Sequence, residues 1–80
     1  MKDYKLYMEM IRRSIERVNN NFKIADEKIS YFHIGLELRH IEAVIEEAYD
    51  LHFITANSHS LLRRWYRRYY DNIVHKIIWL

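Results

Sequence analysis

Arginine and aromatic side chains are concentrated in the C-terminal stretch that covers residues 61–80. Within it, Arg64, Arg67 and Arg68 recur at a spacing that places them on neighbouring turns of one helix. Guanidinium groups bind phosphates and carboxylates through planar, paired hydrogen bonds, and the interleaved aromatic rings could stack on bases. This stretch therefore predicts a surface that binds another macromolecule.

An acidic segment upstream offers these arginines an internal partner. Its members are Glu42, Glu46, Glu47 and Asp50. If the arginines pair with these carboxylates, they form a solvated structural face and do not bind phosphate. The apolar side of the stretch would then be the contact surface, with Leu61, Trp65 and Trp79 as candidate anchors, because large aromatic residues dominate interface energies.

Arg68 and His75 are seven residues apart and would share one face of a helix. His75 could serve as a general acid or base on a ribose 2′-hydroxyl while Arg68 steadies the phosphate. The spacing and the tract around His75 resemble the Arg…His motif of HEPN-type ribonucleases. That resemblance implies metal-independent RNA cleavage as an alternative function.

His33, Glu37 and His40 would lie on one side of a helix, where they could ligate a metal ion. Glu37 and His40 have the spacing by which di-iron bundles place two ligands on one helix. Such a site needs a second motif, which only a second copy of the chain could supply. The alternative is a half-buried Glu37 that pairs with Arg63 or a tyrosine hydroxyl, and on this reading we predict no cofactor.

The composition is that of a helical protein, with one glycine, no proline and no cysteine among 80 residues. We predict an all-α fold that forms a single domain over residues 1–80. Without cysteine, neither disulfides nor thiolate metal sites can form. The formal net charge of +2 is too small to make nucleic acid the default partner.

Cellular location is predicted from the termini and the apolar runs. The N-terminus is charged, unlike a secretory leader, and no apolar run reaches the ~18–20 residues of a membrane span. The sequence therefore predicts a cytoplasmic protein with no membrane partner. The many Ile, Asn, Lys and Tyr residues are typical of AT-rich coding sequences such as those of phages and mobile elements.

Hydrophobic periodicity predicts a small bundle of three long helices. The first covers about residues 3–19, the second about 23–55, and the last about 59–79. A loop at 55–60 precedes the last helix, and Asn57, Ser58 or Ser60 could cap it. In the first helix the apolar seam is Tyr4, Met8, Ile11, Ile15, Val18 and Phe22. The second helix either continues through Gly35 or breaks there to give four helices, and we favour continuity because Gly35 has no capping neighbours.

The second helix carries two apolar seams that meet near Gly35. One is Phe22, Ala25, Ile29, Phe32 and Leu36, and the other is Ile34, Leu38, Ile41, Ile45 and Ala48. At about 100° per residue the two seams point almost opposite ways, so one neighbouring helix cannot cover both. This geometry predicts a homodimer in which a second copy completes the core.

Taken together, these features predict a non-enzymatic helical adaptor or inhibitor that binds a protein partner through its C-terminal helix. Nucleic-acid binding by Arg64, Arg67 and Arg68 is the alternative, and ribonuclease activity is the second alternative.

Overall fold

The computed structural model describes residues 2–23 and 26–79, and the side chains of residues 4–23 and 26–77. These residues form three α-helices and no β-strand: α1 (Lys2–Asn21), α2 (Glu27–Asp50) and α3 (Ala56–Trp79). The predicted all-α fold with three long helices is confirmed, and α2 runs unbroken through Gly35. Among the described residues, no helix combines the length and the apolar character that crossing a membrane requires.

The boundaries of α2 differ from the prediction at both ends. The helix begins at Glu27 because the Asp26 carboxylate accepts hydrogen bonds from the backbone N–H groups of Lys28 (3.0 Å) and Ile29 (3.2 Å). It ends at Asp50, five residues before the predicted end at residue 55. Local hydrogen bonds at its ends thus make the helix shorter than its apolar pattern predicts.

The predicted loop before α3 is mostly helix. α3 already begins at Ala56, so all three predicted capping residues lie inside it. The cap is Thr55, whose hydroxyl oxygen accepts from the backbone N–H of Ser58 at 3.1 Å. The connection between α2 and α3 is therefore the short segment 51–55.

His52 lies two residues after the end of α2 and has a left-handed backbone conformation, with φ at 62°. Its N–H donates to the Tyr49 carbonyl at 3.0 Å, and the Phe53 N–H donates to the Ala48 carbonyl at 2.9 Å. This bonding pattern is a Schellman motif, whose left-handed position is usually glycine because a Cβ is disfavoured there.

We expect His52→Gly to raise the free energy of unfolding by about 1 kcal/mol, because it removes the Cβ from a left-handed position. Urea denaturation followed by circular dichroism measures the change. His52→Ala is the matched control, since it also removes the imidazole but keeps the Cβ. Equal stabilities of the two variants would contradict this explanation.

The predicted seam of α1 is confirmed except at Tyr4, which is exposed. Ile11 and Val18 are buried, and the remaining seam residues pack against the core clusters: Met8, Ile15 and Phe22. The buried face also includes Tyr7 and Ser14, which the prediction omitted. Apolar spacing could not indicate the buried position of Ser14, because serine is polar.

α2 is the central helix, and it contributes to both clusters of the core. The larger cluster joins Tyr7 and Ile11 of α1 to Ile41, Val44 and Ile45 of α2, with Trp65 and Tyr69 of α3 packed against it. The smaller one consists of Val18, Ile34, Leu38 and Ile73. The second predicted seam of α2, from Ile34 to Ala48, is therefore confirmed as its core face.

The first predicted seam is left uncovered from Ile29 onward, whereas Phe22, which precedes α2, packs against the smaller core cluster. Ile29, Phe32 and Leu36 are 51%, 64% and 46% exposed, and we call these three residues the outer seam. Ala25 lies outside the described residues. The core face keeps one direction along the whole helix, so the outer seam is left on the opposite side.

Candidate functional site

An open groove of about 1230 Å³ lies between α2 and α3. On α3 it extends from Ser60 to Ile77, about 25 Å at 1.5 Å per residue. Its lining residues are Tyr31, Ile34, Gly35, Leu38, Arg39, Glu42, Ile45, Glu46, Ser60, Arg63, Arg64, Tyr66, Arg67, Tyr70, Asp71, Val74 and Ile77. The groove is long enough for four to five turns of a helix, at about 5.4 Å per turn.

The floor of the groove is the edge of the hydrophobic core. Ile34, Leu38 and Ile45 are buried in the core and also line the groove, with Val74 and Ile77 opposite them on α3. The walls are polar and carry four arginines and three carboxylates. An apolar floor between charged walls suits an amphipathic partner.

One of the four groove arginines is paired. Arg63 Nε lies 3.6 Å from a Glu46 oxygen, and the other oxygen of Glu46 lies 3.0 Å from His59 Nε2. His59 also stacks on Tyr49, with ring centroids 4.0 Å apart. Glu46 of α2 therefore contacts two side chains in the first turns of α3 and helps to hold the two helices together.

Arg39, Arg64 and Arg67 make no ion pair with any described residue, and the same holds for Arg68 outside the groove. Of the acidic residues of α2 that could neutralise the arginine face, only Glu46 pairs with an arginine of α3 in the described part of the chain, and that arginine is Arg63. In the described part of the chain, Glu42, Glu47 and Asp50 form no salt bridge. Most of the arginine charge is left for a partner or for solvent.

Tyr66 and Tyr70 stand beside these arginines. The Tyr66 hydroxyl donates to the Leu38 carbonyl at 2.8 Å, which ties α3 to α2 across the groove. Burial, together with nearby Glu42 and Tyr70, raises the pKa of Tyr66 to about 12, so its hydroxyl keeps its proton at neutral pH. Tyr70, whose ring centroid is 6.1 Å from that of Tyr66, is exposed and can contact a ligand.

The predicted aromatic anchors occupy different environments. Trp65 is half-buried, packs on the larger core cluster and stacks on Tyr69 at 5.3 Å between ring centroids. Burial raises the pKa of Tyr69. Leu61 is 56% exposed, and the side chain of Trp79 lies outside the described residues. Trp65 thus contributes to the core, while the exposed Leu61 can contact a partner.

Arg68 and His75 are both exposed residues of α3, and neither lines the groove. The structure therefore separates the pair that resembles the ribonuclease motif from Arg64 and Arg67, which do line it. An exposed helix surface provides no enclosed site in which a phosphate would be shielded from water.

Glu37 is held by α1 and not by Arg63 or a tyrosine as predicted. Arg17 Nε donates to Glu37 Oε1 at 2.8 Å, and the second Glu37 oxygen is buried with no hydrogen-bond partner among the described residues. His33 and His40 are exposed. In the described part of the chain, no group of three His, Asp or Glu side chains is placed to hold a metal ion.

Sequence reasoning missed the contribution of α2 to the groove, above all that of Arg39. Arg39 lies four residues after Gly35, on the flank of α2 that adjoins α3. The available signal was helical angle: Gly35, Arg39, Glu42 and Glu46 share one flank of α2. Which helix that flank faces depends on tertiary packing, which periodicity does not provide.

No protein-family model, curated protein or solved structure matches this chain. Function is therefore inferred from the chemistry of the groove.

Proposed function

We propose that this chain is a non-enzymatic helical interaction protein, an adaptor or inhibitor, that binds a protein partner in the α2–α3 groove. The observation that carries the proposal is the set of unpaired arginines, Arg39, Arg64 and Arg67, beside the apolar floor. None of these cations forms an ion pair with a described residue. A partner that brings carboxylates would form charge-assisted hydrogen bonds with them.

The chemistry of the groove favours a partner helix with one apolar and one acidic face. Its apolar side chains would cover Ile34, Leu38 and Val74, and its carboxylates would meet the arginines on both walls. Glu42 and Asp71 also line the groove, and a phosphate backbone placed there would be repelled by them. An acidic protein segment can place its carboxylates selectively, whereas a uniform phosphate backbone cannot.

A nucleic-acid ligand is the second candidate, and one observation favours it. Arg64, Arg67 and Arg68 are exposed on neighbouring turns of α3 and make no ion pair with a described residue. Phosphates could follow this line along the outer edge of the helix, with Tyr70 near enough for stacking. Such binding would weaken steeply as salt concentration rises.

We also propose that the chain is a homodimer, because the outer seam of α2 is left uncovered by its own fold. Light scattering during size-exclusion chromatography tests this, and a strictly monomeric species at tens of micromolar would refute it. The cytoplasmic location stays a prediction.

Photo-crosslinking in the native host tests the groove. A benzoylphenylalanine in place of Tyr70 reports on the groove, and one in place of Tyr4, which is exposed to a similar degree on α1, is the control. We expect one protein to be crosslinked from the Tyr70 position and not from the Tyr4 position.

Charge variants decide what holds the crosslinked partner. Arg64→Gln/Arg67→Gln should reduce its capture roughly tenfold or more, since each lost charge-assisted contact is a large share of a binding free energy. Lys5→Gln/Arg13→Gln removes the same charge from α1 and should leave capture unchanged. Capture that survives the first double substitution overturns the proposal, and capture of nucleic acid in place of protein selects the second candidate.

A further inference from the structure

We propose that the two copies of the homodimer meet through the outer seam of α2, in an antiparallel helix pair whose two-fold axis passes between Gly35 and Leu36. This inference rests on the proposed dimer and specifies its surface. The seam residues Ile29, Phe32 and Leu36 follow the i, i+3, i+7 spacing of a helix-packing seam, although the described part of the chain leaves them exposed. A second copy presents the same spacing.

Gly35 is the observation that places the axis. A glycine inside a helix is about 1 kcal/mol less stable than alanine, and Gly35 has neither a positive φ nor any heavy atom within 4 Å of an added Cβ. The monomer therefore gives no reason for it. Its missing side chain leaves a notch of about 210 Å³ lined by Tyr31, Phe32, Leu36 and Arg39. A helix crossing at this notch could approach closely, as small residues allow at helix contacts.

In the antiparallel register, charged residues of α2 in one copy face residues of opposite charge in the other copy. Lys28 and Glu42 each lie seven residues from Gly35, on opposite sides and on the same flank of the helix. A two-fold axis between Gly35 and Leu36 therefore brings Lys28 of one copy within one residue of the level of Glu42 of the partner subunit, twice in the dimer. Neither residue forms a salt bridge with a described residue of its own chain.

The same register also places Phe32, the aromatic residue of the outer seam, next to a cation of the other copy. Phe32 lies three residues before Gly35 and Arg39 four residues after it, so the axis sets Phe32 against Arg39 of the partner subunit. Arg39 has no ion pair among the described residues, and a guanidinium over a phenyl ring is attracted by cation–π interaction. When Arg39 makes this contact in the dimer, Arg64 and Arg67 of α3 remain for the groove partner. A parallel pair would instead place Lys28 beside Lys28 and Arg39 beside Arg39 of the partner subunit.

Single cysteines test the surface directly, because the chain has no cysteine of its own. Leu36→Cys places a thiol at the axis, within disulfide reach of its symmetry mate. Leu61→Cys, at an exposed leucine of α3, is the matched control. Under mild oxidation at about 50 μM protein, within the range expected for a small interface, we expect the Leu36→Cys variant to form disulfide dimers at least several times faster than the control.

The outcomes separate this inference from the dimer itself. A dimer by light scattering with equal crosslinking of the two cysteine variants overturns the outer-seam interface and leaves the proposed dimer standing. A monomer overturns both. Leu36→Glu, at an exposed position, should keep the helical circular dichroism spectrum and abolish the dimer, and a dimer that survives it also overturns the interface.

A charge exchange tests the register. Lys28→Glu alone should weaken dimerisation several-fold, because it sets two carboxylates against each other at each end of the helix pair. Adding Glu42→Lys should restore the original affinity, since each pair is then of opposite charge again. A double variant as weak as Lys28→Glu alone rules out the antiparallel register.

Discussion

Ile41→Ala is expected to lower the free energy of unfolding by about 2–5 kcal/mol. Ile41 is fully buried in the larger core cluster, between α1 residues Tyr7 and Ile11 and the aromatic face of α3. Removing three carbons there loses hydrophobic burial and leaves a cavity that rigid neighbouring helices can close only in part. A domain of this size is stable by only about 4–12 kcal/mol, so the loss is a large share of the total.

The matched control is Leu6→Ala, which also removes three carbons from a helix but at a position that is 57% exposed. We expect a change within about 0.5 kcal/mol there. Urea denaturation at low micromolar concentration measures both, and the midpoint for Ile41→Ala should fall by about 2–5 M if m is near 1 kcal/mol/M. Similar midpoints for the two variants would contradict the assignment of the core face.

The helical architecture was predictable because it depends on patterns within single segments. Three helices, the continuity of α2 through Gly35 and the core face of α2 follow from apolar spacing and from the absence of proline. The ends of the helices were less predictable. They depend on which of several polar residues accepts from the first free N–H groups, and Asp26 and Thr55 do so here.

The full buried face of α1 and the composition of the groove were not predictable from spacing. The apolar pattern of α1 correctly indicated Ile11 and Val18 but could not indicate the buried Ser14, which is polar. The groove depends on how α2 and α3 are rotated about their axes. That rotation decides that Glu46 binds Arg63 while Glu42 and Glu47 leave the other arginines unpaired.

The contact between Arg17 and Glu37 was also missed, because it joins residues of two helices that run past each other. Arg17 Nε donates to Glu37 at 2.8 Å, and an Arg17 Nη donates to the hydroxyl of the buried Ser14 at 3.0 Å. The two side chains differ in exposure: 47% for Arg17 and 20% for Glu37. The carboxylate therefore depends on its partner more than the guanidinium does.

Arg17→Met should destabilise the fold by about 1.5–3 kcal/mol, the range for a lost hydrogen bond to a charged group. The substitution leaves a carboxylate that water reaches poorly, one of whose oxygens already lacks a hydrogen-bond partner among the described residues. Glu37→Gln should be milder, at about 1 kcal/mol or less, because the amide keeps an acceptor oxygen and the half-exposed guanidinium can be hydrated.

A double variant isolates the cause. Arg17→Met/Glu37→Leu removes both charges and fills the contact with apolar groups, so it should be more stable than Arg17→Met alone even though it carries one more substitution. Urea midpoints of the wild type and the three variants at neutral pH provide the comparison. If the double variant is instead the least stable, the contact between α1 and α2 owes its strength to the ion pair itself, and the stranded carboxylate is not what destabilises Arg17→Met.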